Sequence, residues 1–394
     1  MKKITADKIY PIAAAPLEEQ VVITDNAGKI LSIEPRHHHP ASEVEYHPGI
    51  LIPGFVNTHC HLELSHMKGK IQTGTGLIPF IRQVVAQRNA PPEIIQAAIE
   101  TAYAEMIAGG IVALGDISNT TDTFVVKAKG EMRTYTFVEL FDFLQDTNAT
   151  KALEDWQSVF QTLNPPNGSC KSMVPHAPYS VSPTLFNLIK QANGNEYNQT
   201  ISIHNQETPP ENQLFESKTG DFIDFYQTFG ISLESFSANH KSSIYYAIQH
   251  LNPHNRNLFV HNTLTNREEV EAAQAWSTHV YWATCPNANL YIENRLPDYR
   301  VFLDTNARVC IGTDSLTSNW QLSILEELKT ITRYQSYVPL ETLLTWATLN
   351  GAKALGFEAT LGSIEPGKQP GLLILSNLTD NGQIGPHTNV SRII

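Results

Sequence analysis

Eight short runs of apolar and β-branched residues recur along the chain, each stopping abruptly at a polar residue. They are LIPGFVNTH (51–59), IVALGD (111–116), TYTFVEL (134–140), SMVPH (172–176), TISIH (200–204), NLFVH (257–261), HVYWATC (279–285) and RVCIGTD (308–314). Between most of them lie segments with apolar positions at helical spacing. The clearest is PPEIIQAAIETAYAEMIAGG (91–110), with proline near its start and Gly109-Gly110 as a stop. TLFNLIKQAN (184–193) and REEVEAAQAW (267–276) read the same way. Strand then helix, eight times over, predicts an α/β protein of the (β/α)8 TIM-barrel type. The first and eighth runs begin at residues 51 and 308, 257 positions apart, near the ~250 residues usual for that fold. An open doubly wound sheet is the structural competitor. It normally carries a Gly-rich turn after its first strand, and NTHCHLE (57–63) is not one.

Both ends of the chain fall outside the eight units. Residues 1–50 contain alternating strand patterns around DNAGK (25–29), a hairpin-turn signal. Residues 361–394 are also β-rich. Neither stretch is long enough to bury a core alone. The expectation is a small β-sandwich-like domain built from residues 1–50 plus 361–394, beside a barrel spanning 51–360. LETLLTWATLNGAKALGF (340–357) reads as one helix returning from barrel to small domain. RHHHP (36–40) reads as a solvated loop, because no rigid element presents its histidines.

Composition narrows the class. In 394 residues, 41% are hydrophobic, enough for a sizeable core. No apolar run approaches the ~20 residues that span a bilayer. The N-terminal lysines have no apolar stretch behind them, so no signal peptide is expected. A net charge of −12 argues against binding to nucleic acid or anionic membranes. Cys60, Cys170, Cys285 and Cys310 make no C-x-x-C pair, which fits a reducing cytoplasm and not a disulfide framework.

The chemistry sits at the strand ends. The first predicted strand ends in His59 and His61, the fourth in His176, the fifth in His204, the sixth in His261 and the eighth in Asp314. In a barrel these C-terminal ends share one mouth. Six polar side chains with one positional role are hard to explain as packing, because burying them there without a partner is costly. His59 and His61, at i and i+2, face the same side, while Cys60 between them faces away. His59, His61, His204 and Asp314 offer three nitrogens and one oxygen, an open catalytic donor set for a metal. Glu207, three residues after His204, is placed to act as general acid/base beside it; the alternative is a surface glutamate opening the next helix. His176 is read as touching substrate or water, or as a supporting residue. His261 is read as bonding the attacking water or the reacting group.

These motifs resemble the amidohydrolase superfamily, at the branch of adenosine- and S-adenosylhomocysteine-type deaminases, guanine deaminase and triazine chlorohydrolases. PGFVNTHCHLE (53–63), HAPYSVSP (176–183), IHNQE (203–207), VHNTLT (260–265), CPNANL (285–290) and GTDSLTSN (312–319) carry the resemblance over nearly the whole chain. HCHLELS (59–65) is most similar to the aminofutalosine (aminodeoxyfutalosine) deaminases of menaquinone biosynthesis. The resemblance implies one divalent metal, Zn2+ in the first place and Fe2+ as the alternative. It implies a small-molecule substrate with a purine-like ring, such as aminodeoxyfutalosine, and a homodimer. A metal-activated water would attack the carbon bearing the amine, oriented by Asp314 and His261, with Glu207 as proton shuttle. Glu63 is then implied to read the substrate, against a plain capping role.

There are departures from the family pattern. Gly367-Lys368-Gln369-Pro370-Gly371-Leu372 lacks the aspartate often found in the closing hairpin. The fourth strand has no lysine at its C-terminal end, since Lys171 lies at the other end. That argues against a lysine-bridged two-metal centre. Three alternatives stay open: deamination or dechlorination of another ring (guanine, S-adenosylhomocysteine or a triazine), a cyclic amidohydrolase, and a non-catalytic binding protein.

Overall fold

A computed structural model describes residues 1–166, 168–194 and 199–394. Four strands come first: β1 (Lys2–Ile9), β2 (Gln20–Thr24), β3 (Ile30–Pro35) and β4 (Glu45–Pro53). The eight expected strands follow as β5 (Phe55–Cys60), β6 (Ile111–Ile117), β7 (Arg133–Leu140), β8 (Cys170–Pro175), β9 (Thr200–Asn205), β10 (Arg256–His261), β11 (Val280–Thr284) and β12 (Val309–Ile311). The chain closes with β13 (Leu372–Ser376) and β14 (Asn389–Arg392).

β5 to β8 form one four-stranded parallel sheet in sequential order, and β9 to β12 form a second. Strands such as β6 and β11 are buried along their full length. That is the mark of parallel strands covered on both faces, and it explains their continuous apolar character. The edges of the two sheets are hydrogen-bonded to each other. At one edge the His204 N–H donates to the His176 carbonyl (2.9 Å) and Ser172 Oγ to the Thr200 carbonyl (2.7 Å). At the other, Thr58 Oγ1 donates to the Ile311 carbonyl (2.9 Å), and the Thr313 and Asp314 N–H groups donate to the His59 carbonyl (3.0 and 3.1 Å).

The helical signals held where caps and periodicity agreed: Pro92–Ala108, Pro183–Ala192 and Arg267–Trp276 are helices. The third opens with a capping box between Asn266 and Glu269. The predicted 340–357 helix is two, Leu340–Ala347 and Leu349–Leu355. Thr348 breaks it with φ −133° and ψ −86°, so that Gly351 lies flat against Val56 of β5, where a Cβ would come within 2.9 Å.

The predicted strand over 51–59 is also divided. Residues up to Pro53 belong to β4 and those from Phe55 to β5. Gly54 sits at the junction, where a Cβ would lie 2.3 Å from Val112 and 2.7 Å from the Pro370 carbonyl. The two ends of the chain pair into a six-stranded sheet, β14-β13-β4-β1-β2-β3. Asp25 Oδ1 holds the hairpin between β2 and β3 by accepting from the N–H groups of Ala27 and Lys29. Two facing layers from the chain ends are not among the described sheets. All four cysteines are free.

Gly115 in β6 marks the tightest approach to the strand that carries His59: a Cβ there would be 2.4 Å from the Thr58 carbonyl oxygen, which is backbone and cannot turn aside. Gly115→Ala is expected to destabilise the fold by about 1–3 kcal/mol. Urea unfolding, followed by circular dichroism, would read this as a lower midpoint.

Candidate active site

The carboxyl ends of the parallel strands converge. His59 is the penultimate residue of β5, and His61 lies just past its end, at φ −118° and ψ 76°. Their Nε2 atoms are 3.2 Å apart, and His61 Nε2 is 3.3 Å from His204 Nε2. Asp314 Oδ1 lies 3.6 Å from His59 Nε2 and 3.3 Å from His61 Nε2. Among the described residues, three groups could hold a metal ion: His59, His61 and Asp314; His59, His204 and His261; and Glu139, His176 and His204. The ring nitrogens of His59, His61 and His204 and the Asp314 carboxylate thus lie close together, with His261 and His176 also at the cluster. Cys60 is buried, joins no such group, and its thiol is pushed well up by burial and by Asp116.

Glu207 is buried, not the surface glutamate of the alternative reading. Its Oε1 lies 3.7 Å from His261 Nε2. The His261 Nδ1–H points at Asn289 Oδ1 (2.9 Å), which leaves Nε2 as the acceptor nitrogen facing Glu207. His176 is pinned through Nδ1 to Ser180 Oγ (2.6 Å) and lines the cavity that borders the cluster. Glu63 is buried as well. Its Oε2 accepts from the N–H groups of Asn119 and Thr120 and from Thr120 Oγ1.

Electrostatics follow burial. His59, His61, His176 and His261 are each held down to about 4, chiefly by desolvation. They are neutral near pH 7. His204 is the exception. Burial lowers it, but the Glu139 carboxylate outweighs burial and raises it to about 9. Burial likewise opposes ionisation of Asp314, yet the surrounding histidines hold it well below the usual carboxylate range. Glu207 moves the other way, pushed well up by burial.

Several residues that build the site carried no sequence signal strong enough to single them out. Glu139, next to last in β7, lies 3.3 Å from His204 Nδ1, which also meets the His176 carbonyl at 2.8 Å. It sits one residue short of the strand's end, outside the strand-end pattern that marks the histidines. Glu211 accepts from the N–H groups of Gln206 and Glu207, one on each oxygen, and so sets the turn that presents Glu207. Ser318 donates to Asp314 Oδ2. Asp116 accepts from the Leu62 N–H (2.9 Å), fixing the residue after His61, and is itself paired with buried Lys127 at 2.5 Å. His261, Asp314 and Gln206 all sit at positive φ (71°, 56° and 47°). Such strained backbone concentrates at functional sites.

The cavity holds about 230 Å³. One end is polar, with His61, His204, Glu207, His261 and Asp314. The helix Leu77–Gln87 supplies much of the apolar wall, within the 68–85 segment expected to select substrate.

An α/β scaffold with parallel strands, a convergent histidine–aspartate donor set and a buried carboxyl in the adjoining cavity define a metal-dependent hydrolase centre. The comparisons with known proteins give its family. The Amidohydrolase family profile matches residues 50–390, and the chain belongs to that family of metal-dependent hydrolases, which act on C–N bonds. The chain is 26% identical over 368 residues to an adenosine deaminase of Helicobacter pylori, covering 91% of this chain and 87% of that protein. It is 27% identical over 378 residues to an aminodeoxyfutalosine deaminase of Nitratiruptor sp., covering 92% and 89%. The crystal structure of Helicobacter pylori aminofutalosine deaminase with methylthio-coformycin superimposes with a TM-score of 0.79 at 24% identity, over 96% of this chain and 92% of that one. No described helix is long and apolar enough to cross a membrane.

Removing the charge behind His204 tests this geometry. Glu139→Gln is expected to weaken metal binding by about 10–100-fold, read by competition with a chromophoric chelator.

Proposed function

We propose that this chain is a metal-dependent aminohydrolase that deaminates the adenine ring of a nucleoside, with aminodeoxyfutalosine as the first substrate to consider. The observation that carries the reading is the buried Glu207–His261 pair, 3.7 Å apart, beside the converging His59, His61, His204 and Asp314. The adenosine and aminodeoxyfutalosine deaminases among its relatives support it. On this reading the two parallel sheets close into a (β/α)8 barrel. Residues 51–360 are then the hydrolase domain, and 1–50 plus 361–394 an accessory β-domain.

The donor set fits a divalent cation. Three imidazole nitrogens and one carboxylate oxygen, separated by 3.2–3.6 Å, point at one another with little else to satisfy them. Imidazole with a carboxylate suits zinc first and ferrous iron second. Lys171 donates to the Phe160 and Leu163 carbonyls, far from the strand end, in keeping with one metal and no bridging lysine. When bound, the metal supplies the Lewis acidity that makes a water nucleophilic near neutral pH.

The chain's own residues do the rest. Asp314 and His261 orient the attacking water and accept its proton, His261 through the Nε2 that Asn289 leaves free. Glu207, whose carboxyl burial pushes well up, donates to the ring nitrogen next to the attacked carbon. The proton taken from water passes to the exocyclic amine. The C–N bond breaks and ammonia leaves; the remaining hydroxyl proton returns to Glu207, which restores its carboxylic acid, and the water oxygen stays as the carbonyl of the product. His176 faces the reacting ring, and Glu63 keeps Oε1 available to substrate while Oε2 is bound by the chain. A second reading, 5′-methylthioadenosine as substrate, is favoured by the apolar wall and by the methylthio ligand of the structural relative.

An ammonia-release assay of metal-loaded protein against aminodeoxyfutalosine, adenosine, 5′-methylthioadenosine, S-adenosylhomocysteine, guanine and a triazine tests this. Turnover is expected with adenine nucleosides and not with guanine or the triazine; the reverse pattern would reject the reading. Glu207→Gln should retain metal while turnover falls by about 10²–10⁴-fold. A fully active variant would remove Glu207 from the mechanism.

A further inference from the structure

Two motifs contain polar residues that the reaction does not use. Asn205 and Gln206 stand between His204 and Glu207, and Asn262 to Thr265 follow His261. Asn205, Gln206, Asn262 and Thr265 are all buried. Enclosing polar side chains is unfavourable unless they find partners, and these four find one another.

The parallel ladder of β9 and β10 ends at the pair Asn205 and His261. The bonding between the two chain segments continues past it. The Asn262 N–H donates to the Asn205 carbonyl (3.0 Å), and the Leu264 N–H donates to the Gln206 carbonyl (3.1 Å). Side chains repeat the link: Asn205 Nδ2 donates to Asn262 Oδ1 (3.1 Å), and Thr265 Oγ1 donates to Gln206 Oε1 (2.7 Å). The turn that carries Glu207 is thereby clamped to the turn that follows His261. Asn262 Nδ2 anchors the second turn to the strands beneath, through the Phe259 and Ala283 carbonyls (2.8 and 3.1 Å).

The clamp holds strained backbone. Gln206, His261 and Asn262 sit at φ 47°, 71° and 54°, a region that non-glycine residues keep only where their surroundings over-determine it. Glu207 and His261 are 3.7 Å apart, beyond hydrogen-bond distance. Their separation is therefore set by the two turns and not by a bond between them. Neither Gln206 nor Thr265 is among the described residues lining the cavity.

We propose that Gln206 and Thr265 are positioning residues: their hydrogen bond keeps the two turns in register, so that Glu207 and His261 meet the substrate at a fixed separation. This rests on the deaminase reading above and deepens it. Touching neither substrate nor metal, the pair acts only through the two groups that move protons.

Thr265→Val removes the hydroxyl while keeping the branched shape, and Thr265→Ser keeps the hydroxyl. Zinc-loaded wild-type and variant proteins are assayed for ammonia release from adenosine, 5′-methylthioadenosine and aminodeoxyfutalosine. In Thr265→Val, kcat should fall about 10–100-fold, with KM and zinc content unchanged. Thr265→Ser should recover most of that loss. Added to Glu207→Gln, Thr265→Val should lower kcat by no more than about twofold further, because the residue it positions is already disabled. Full activity of Thr265→Val overturns the proposal and leaves the deaminase reading intact. Loss of zinc, a KM that rises as kcat falls, or full multiplication of the two losses in the double variant also overturns it, since each marks Thr265 as merely structural. No ammonia from any of the three nucleosides with the wild-type protein brings down both.

Discussion

The carbonyl oxygen of His59 accepts two backbone N–H groups, from Thr313 and Asp314, and this junction fixes the site's geometry. It locks the end of the first parallel strand to the end of the last, so two segments 255 residues apart present His59 and Asp314 at 3.6 Å (314 − 59 = 255). Asn57 and Thr313 brace the same seam, Asn57 donating from Nδ2 to Thr313 Oγ1 and accepting from the Thr313 N–H. The positive φ of Asp314 follows from turning the chain immediately after both bonds are made. Side chains placed by backbone pairing in this way do not need to reorganise to meet a ligand or a substrate.

Around that seam the protein buries more charge than a core normally tolerates. Asp116 and Lys127, Glu139 and His204, and Glu211 beneath the Glu207 turn are all enclosed. Each is tied to a residue of the cluster or to its immediate neighbour in the chain. Asp116 holds the residue after His61, Glu139 backs His204, and Glu211 shapes the turn that carries Glu207. Glu327 does the same for the last two strand-end loops, accepting from Asn287 and Asn319. Hydrophobic replacements would pack with less desolvation cost, but they would not aim the ligands.

The inner ring of the site was legible because its residues share one simple rule: each ends, or directly follows, an apolar run. His59, His61, His176, His204, His261 and Asp314 all obey it. Glu139 breaks the rule by one residue, and its importance depends on where His204 turns its Nδ1, which no local pattern encodes. Glu211 and Ser318 act on backbone or side chains a few residues away through turns whose φ values the sequence does not announce. The division at Gly54 was hidden inside one continuous apolar run, because two strands of different sheets meet there without a polar break. The break at Thr348 was hidden for the complementary reason: both halves have good helical periodicity, and only the approach of Gly351 to Val56 separates them.

The central claim is that one metal, held by His59, His61, His204 and Asp314, drives hydrolytic deamination. Stoichiometric reconstitution tests it most directly. Metal-free protein is titrated with zinc while ammonia release from an adenine nucleoside is followed at each step. Activity should rise in proportion to added zinc and level off at one equivalent per chain. A plateau at two equivalents, or full binding of zinc without ammonia release from any adenine nucleoside, would contradict it.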